Sequence, residues 1–238
     1  MEVPNHIAII PDGNRRWAKE HNFPTIEGHR RGFDNLIPLA KKSRELGITT
    51  MTIWAFSTEN WQRATDEVNY LMKLYGMLID KHLQEAITDQ VRIVHVGRKD
   101  RIPKSLMSQI EKTEQKTQKF TKHYLNIALD YGGRDEIVRA INKAQNTKHA
   151  FVPSLGRGET RNITEEDIDQ NLDLASQPYP KPDIIIRTGK EYRLSGFMLW
   201  QSQYSELFFP DVYFPDFTPK YLETIIEEYA KRQRRFGK

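Results

Sequence analysis

The sequence predicts an α/β fold, a single domain over residues 1–238 built on a mostly parallel central sheet of about six strands flanked by helices. Two observations predict it. Short apolar, β-branched runs recur along the chain, and longer segments whose apolar residues return every three or four positions lie between them. No proline-, glycine- or serine-rich linker and no shift of composition divides the 238 residues. Strands that alternate with amphipathic helices form parallel sheets covered on both faces.

The elements follow in order. Residues 6–10, 50–56, 91–96, 124–129 and 183–186 read as buried strands. Residues 30–46, 67–87, 104–121 and 134–145 have helical periodicity. On the second of these helices, Val68, Leu71, Met72, Tyr75, Leu78, Ile79 and Leu83 make a wide apolar stripe. Residues 151–162, with Pro153, Gly156 and Gly158, read as a loop. A helix is expected to start near Thr164, with Thr164 and Asp167 in a capping arrangement. The last helix begins at about Pro219 and ends in the basic run 232–235.

Composition narrows the function classes. With 38% hydrophobic and 11% aromatic residues the chain can bury a substantial core. Zero cysteines exclude disulfides, thiolate metal sites and a cysteine nucleophile, and suit a reducing compartment. The N-terminus lacks a signal-peptide pattern, and the longest apolar stretches fall far below the roughly 20 residues that span a bilayer, so a soluble protein is expected. A net charge of +4 favours an anionic ligand without choosing among phosphate, nucleic acid and acidic lipid. Because the 36 basic residues are interleaved with 32 acidic ones, no basic stripe emerges and no nucleic-acid partner is expected.

Open α/β sheets bind ligands beyond the carboxyl ends of their strands. The first strand empties into Pro11-Asp12-Gly13-Asn14-Arg15-Arg16-Trp17, the second into Ser57-Thr58-Glu59-Asn60-Trp61-Gln62-Arg63, and the fifth into Arg187-Thr188-Gly189-Lys190-Glu191-Tyr192-Arg193. At the first exit, a helix start beside two arginines suits an anion, and an acid there tolerates a phosphate when a cation such as Mg²⁺ lies between them. Asp12 reads equally well as a helix cap. His29, after Gly28, is a proton carrier or phosphate donor on one reading and structural on the other. Ser57, Asn60 and Arg63, at spacing three and three, either converge on one ligand group or form a capped surface turn in which Glu59 balances Arg63. Arg187, Arg193 and Ser195 read as a diphosphate clamp. No GxxxxGK[ST] or GxGxxG is present, so the nucleotide-triphosphatase and dinucleotide readings lack support.

Taken together, these segments resemble the cis-prenyltransferase family of undecaprenyl diphosphate synthase-like isoprenyl transferases. The matching blocks are His6-Ile-Ala-Ile-Ile-Pro-Asp-Gly-Asn-Arg-Arg-Trp-Ala18, Gly28-His-Arg-Arg-Gly32 and Ala55-Phe-Ser-Thr-Glu-Asn-Trp-Gln-Arg63. They continue with Leu125-Asn-Ile-Ala-Leu-Asp-Tyr-Gly-Gly-Arg134, Pro182-Asp-Ile-Ile-Ile-Arg-Thr-Gly-Lys-Glu-Tyr-Arg-Leu-Ser195, Trp200-Gln201, Tyr204, Glu206, Phe209 and Arg234-Arg-Phe-Gly237. The blocks stand in the family's order over nearly the whole chain.

The resemblance implies Mg²⁺-dependent cis-condensation of isopentenyl diphosphate with an allylic prenyl diphosphate, giving an undecaprenyl-type carrier-lipid precursor and pyrophosphate. Asp12 and Glu206 would hold the metal, and Asp12, Asn60 and His29 would be the catalytic groups. Asn14 and Arg16, with His29, would sit at the allylic diphosphate or beside the transferred proton. Ser57, Asn60 and Arg63 would serve the reacting region, and Gly13, Arg15, Trp17, Glu59 and Trp61 would also bind substrate. Arg187, Arg193 and Ser195 would grip isopentenyl diphosphate. An apolar tunnel would take the growing chain, with Ala55, Ile53 and the stripe on 67–87 as its wall. A homodimer in the cytoplasm, in peripheral contact with the inner face of the membrane, completes the expectation. The sequence departs from the family pattern at Thr25, where many members carry an arginine, at Lys190, which replaces a small residue, and at Gly196, which replaces an asparagine. These departures keep open a relative that makes a short or branched prenyl diphosphate, or that prenylates a non-isoprenoid acceptor. A non-catalytic subunit is disfavoured because Asp12, Asn60, Arg187 and Arg193 are all retained.

Overall fold

The computed structural model describes residues 2–149 and 162–232. Strand β1 (His6–Ile10) is buried along its whole length and pairs with β2 (Thr50–Ser57) on one side and β5 (Ile184–Arg187) on the other. With β3 (Val91–Val96), β4 (His123–Tyr131) and β6 (Glu206–Phe208) they form a six-stranded sheet in the order β3-β4-β2-β1-β5-β6, parallel at every pairing. A strand covered on both faces must be apolar on both, which is why β1 reads as a continuous run. Ile7 and Ile9 enter one core, with Leu39, Phe217 and Ile226. Ala8 and Ile10 enter the other, with Tyr131, Leu174, Ile185 and Phe197. The two-residue period of a strand sorts them.

Helices α1 (Asn14–Glu20), α2 (Thr25–Glu45), α3 (Thr65–Thr88), α4 (Lys104–Thr117), α5 (Gly133–His149), α6 (Glu165–Asp169) and α7 (Pro219–Tyr229) complete the described chain. Helix α2 starts five residues before the expected residue 30. Its early glycines weaken the helical pattern for a packing reason. A β-carbon on Gly28 would lie 2.1 Å from the Asn14 carbonyl oxygen, and one on Gly32 would lie 2.6 Å from the Asn14 side chain. Both glycines let α1 lie directly on α2. Strand β4 runs past its expected end, and α4 stops at Thr117, short of the expected residue 121. The three-residue β6 is too short to leave a periodic signal. Thr164 caps α6 as expected, its hydroxyl accepting from the Asp167 N–H. The loop read over 151–162, Asn162 excepted, and the closing block 234–237 lie outside the described residues. Among the described residues no helix is long and apolar enough to cross a membrane.

From β1 the chain crosses to β2, on one side of the sheet; from β5 it continues to β6, on the other. The neighbouring exits of β1 and β5 are therefore the switch point, where an open parallel sheet leaves a crevice.

Candidate active site

Ile10 delivers the chain to Pro11-Asp12-Gly13 at that crevice. Gly13 takes φ +100°, a left-handed conformation that only glycine adopts without strain, and precedes the first residue of α1 with no side-chain cap. Asp12 therefore does not cap the helix. Its Oδ1 accepts the Gly13 N–H at 2.6 Å, and the loop is locked from two sides. The Thr188 hydroxyl accepts the Asp12 N–H at 3.0 Å and donates to the Asp12 carbonyl at 2.8 Å. The Phe214 N–H donates to the same carbonyl at 3.0 Å, and Tyr213 packs on Gly13 so closely that a β-carbon would come within 2.4 Å of its ring.

Across the switch point, the Arg187 guanidinium donates to Asp12 Oδ2 at 2.9 Å and to the Ser195 hydroxyl at 2.8 Å, and also to the Arg193 carbonyl. Arg16 reaches Asp12 Oδ1 at 3.1 Å and Glu191 at 3.1 Å, and Glu191 also pairs with Arg193. The exits of β1 and β5 thus carry a chain of alternating charge, Arg193–Glu191–Arg16–Asp12–Arg187. Ion-pair chains of this kind hold guanidiniums pointed into a crevice, ready for a phosphate of matching geometry.

At the exit of β2 a 3₁₀ turn spans Thr58–Gln62, and the Ser57 N–H donates to Asn60 Oδ1 at 3.2 Å. This bond fixes the Asn60 amide with its nitrogen as the remaining donor. Arg63 pairs with Glu67 at 3.1 Å, so Glu67, not Glu59, balances it. Glu59 instead accepts the Thr58 hydroxyl. Glu67 also meets His29 Nε2 at 3.0 Å. Burial lowers the His29 pKa below the ordinary histidine value, against the raising effect of Glu67, so the imidazole is neutral. Burial alone would raise the Glu67 carboxyl, but the bond from His29 and the charges of Arg63 and Arg15 bring it below the usual range. An ionised Glu67 takes the Nε2–H, which leaves the lone pair on Nδ1.

These exits line one cavity of about 1120 Å³. Its mouth holds Asp12, Gly13, Asn14, Arg15, Arg16, His29, Ser57, Glu59, Asn60, Arg63, Arg187 and Ser195. Below the mouth the lining turns apolar along α2 (Phe33, Leu36, Ile37), along α3 (Leu71, Tyr75, Leu78, Ile79, Leu83) and on the sheet (Ile53, Ala55, Ile127, Leu125, Ile93). Leu125 pairs with Met51 near the start of β2, whereas Ser57 ends that strand, so the cavity descends the full height of the sheet. That is roughly 20 Å at about 3.3 Å per residue.

Four expected site residues lie off this lining. Trp17 is 3% exposed, stacks on His21 and Phe23, and donates its indole N–H to Asp216, so it builds the α1–α2 joint. The Trp61 indole donates to Asp130, a buried carboxylate that also holds Arg101. Arg193 contributes its carbonyl to Arg187 while its side chain is exposed beside Glu191. Glu206 begins β6 opposite Ile184, at the amino edge of the sheet, and pairs with Arg232 at 2.6 Å. A single chain therefore does not bring Glu206 to Asp12, because Glu206 lies level with Ile7, five residues before Asp12.

Among the described residues no cluster of three or more metal-ligating side chains exists. The donor set fits Mg²⁺ in another way: this ion commonly binds one or two carboxylates and completes its shell with substrate phosphate oxygens and water. Asp12, at the mouth among arginines, is such a carboxylate. Several contributors gave no usable sequence signal of their own. Thr188 and Tyr213 act through backbone contacts that spacing does not reveal, whereas Glu67, four residues after Arg63 on one helix, could have been found by its i,i+4 position.

Comparison with known proteins matches residues 10–237 to a family described as putative undecaprenyl diphosphate synthase. An isoprenyl transferase of Thermotoga maritima is 43% identical over 237 residues, covering 100% of this chain and 98% of that protein. A tritrans,polycis-undecaprenyl-diphosphate synthase (geranylgeranyl-diphosphate specific) of Pyrococcus horikoshii is 43% identical over 242 residues, covering 99% of this chain and 88% of the relative. A crystal structure of lavandulyl diphosphate synthase from Lavandula x intermedia, in complex with dimethylallyl diphosphate, superposes with a TM-score of 0.92 at 35% identity over 99% of each chain.

Proposed function

The chain belongs to the undecaprenyl diphosphate synthase family of prenyltransferases, and from that premise we propose that it condenses isopentenyl diphosphate onto an allylic prenyl diphosphate in the cis sense, with Mg²⁺, to make a polyprenyl diphosphate. The observation that carries this reading is the continuity of a cationic mouth with a deep apolar cavity of about 1120 Å³. An anion-binding crevice alone fits many phosphate enzymes, and an apolar cavity alone fits many lipid binders. Joined, they fit a substrate with a charged head and a tail that lengthens.

In the proposed reaction the C1–O bond of the allylic diphosphate breaks and pyrophosphate leaves with the electron pair. The alkene of isopentenyl diphosphate forms the new C–C bond, and a proton departs from its C2. Arg187 and Ser195 grip the isopentenyl diphosphate at the exit of β5, and Asp12 stands between the two diphosphates. Asp12 would hold Mg²⁺, whose divalent charge would stabilise the departing diphosphate. Asn60, with its amide nitrogen, and His29, with its Nδ1 lone pair, both line the cavity mouth; these are the groups suited to orient the diphosphate and accept the C2 proton. Donors fixed before the reaction favour the charge-separated transition state because they need no reorganisation.

The length of the apolar lining, from Phe33 on α2 and Leu71 on α3 down to Leu125 and Ile93 on the sheet, supports an undecaprenyl-type product over a short one. The short-product reading is favoured by one observation, the uncharged Thr25 at the mouth. Incubating the chain with Mg²⁺, labelled isopentenyl diphosphate and allylic diphosphates of several lengths, then sizing the products, decides between them; no incorporation with any partner would refute both. We place the enzyme in the cytoplasm as a homodimer, in peripheral contact with the membrane face into which its product would partition. The exposed Leu207 on the short edge strand β6 and the exposed Tyr204 just before it support a second copy there, and sedimentation tests it.

A further inference from the structure

Helix α1 carries Arg15 and Lys19 one turn apart, at the i,i+4 spacing that sets two side chains on one face. Both line the mouth of the cavity. Every other arginine or lysine of the lining is committed within the chain: Arg16 to Asp12 and Glu191, Arg63 to Glu67, and Arg187 to Asp12 and Ser195. Arg15 and Lys19 make no ion pair or hydrogen bond among the described side chains. Arg15 feels Glu67 only at a distance, through charge, and Lys19 is the cation at the substrate cavity whose charge the fold itself leaves unanswered.

Their position says which head group they face. The apolar part of the cavity lies along α2 and α3, and α2 lines it from Thr25 through His29 and Phe33 to Leu36 and Ile37. A tail that fills this space ends at the top of α2, beside Thr25. Asn14 and Ala18 rest directly on Gly28, one turn below Thr25, so the adjacent Arg15 and Lys19 stand over the start of α2. The second diphosphate-binding group, Arg187 with Ser195, lies at the exit of β5, across Asp12 from this spot.

Lys190 does not supply the missing charge. It takes φ +60° in the turn after β5, pairs with Asp211 at 3.3 Å and lies over the Tyr213 ring, and it is absent from the cavity lining. We propose that Lys19, supported by Arg15, is the binding residue for the diphosphate of the tail-bearing allylic substrate, taking the place of a cation at position 25, with the Thr25 side chain left as a small uncharged neighbour. The assignment rests on the function proposed above.

The experiment measures KM separately for the allylic diphosphate and for isopentenyl diphosphate in the wild-type chain, Lys19→Met, Lys19→Arg and Lys19→Met/Thr25→Arg, together with calorimetric binding of inorganic pyrophosphate. Lys19→Met is expected to raise the allylic KM about tenfold, the low end for a charge-assisted contact at an exposed site, and to weaken pyrophosphate binding, with the isopentenyl KM and the melting temperature held. Lys19→Arg should stay near wild type, and the guanidinium at position 25 should restore the allylic KM of the double variant. An unchanged allylic KM in Lys19→Met, or equal losses for both substrates, overturns the assignment. Failure of the proposed function looks different: the wild-type chain itself then incorporates no isopentenyl diphosphate, and the assignment falls with it.

Discussion

Asp12 and Arg187 meet at 2.9 Å across the switch point of the sheet, the carboxylate arriving from β1 and the guanidinium from β5. With Arg16 on its other oxygen, Asp12 is engaged by two guanidiniums before any ligand arrives. A lone Mg²⁺ would have to displace cations from this carboxylate, whereas a diphosphate that draws Arg16 or Arg187 to itself frees an oxygen for the metal. Metal and diphosphate should therefore bind with positive coupling, and the coupling must be reciprocal. Calorimetric titration with Mg²⁺ should show weak binding alone and at least tenfold tighter binding with pyrophosphate present. Asp12→Asn, which keeps an acceptor for the Gly13 N–H, should lose that enhancement. Equal Mg²⁺ affinity with and without pyrophosphate would contradict the exchange.

Gly13→Ala should be destabilising and nearly inactive. The residue would have to hold φ +100°, and its β-carbon would sit 2.4 Å from the Tyr213 ring. The conformational part alone costs about 1–2 kcal/mol. Adding Tyr213→Ala removes the clash and not the φ, so the double variant should recover only part of the melting temperature. Full recovery would assign the whole effect to the ring.

Acidification should weaken the fold through its buried histidines. Burial holds the His6 pKa down at about 3 and lowers that of His29, while the unfolded value is near 6.5. Below pH 6.5 the unfolded chain takes up protons that the folded chain refuses, so stability is full above that pH and declines beneath it. His6 alone gives a slope of about 1.4 kcal/mol per pH unit in that range. The lowered Glu67 carboxyl acts with the same sign at more acid pH, its contribution being lost as pH falls through its folded pKa. Urea midpoints between pH 7 and 4 check this, and His6→Asn should flatten the slope whatever it does to the absolute stability.

Filling the cavity should shorten the product. Leu78 lines its middle on α3 and is only half-buried, so a larger side chain there can be accommodated without breaking the main core. Leu78→Trp should release chains shorter by at least one isoprene unit while the first condensation keeps its rate. Chromatographic sizing reads the outcome, and an unchanged product distribution would mean that the tail does not run along α3.

Much of this was legible in the sequence because the relevant signals are local. A strand buried on both faces must be an uninterrupted apolar run, so β1 was found to the residue, and strand exits deliver polar clusters that stand out against such runs. Contacts that depend on distant segments left no such trace. Gly28 fell outside the helix expected from residue 30, because its place inside α2 depends on α1 lying on it. Trp17 and Trp61 stand among ligand-facing residues in sequence, yet their indoles serve Asp216 and Asp130. The level of Glu206 within one chain is set by parallel register, and that register needs β5 and β6 paired in space.

The most direct test of the central claim is incorporation of labelled isopentenyl diphosphate into an allylic diphosphate, with Mg²⁺, by the wild-type chain and by Asp12→Asn. The account predicts a lipid-extractable polyprenyl diphosphate from the wild type and a rate lower by about 10²–10³ in the variant, the loss expected for removing one preorganised electrostatic group. A wild type that incorporates nothing, or an Asp12→Asn variant that keeps full activity, would contradict it.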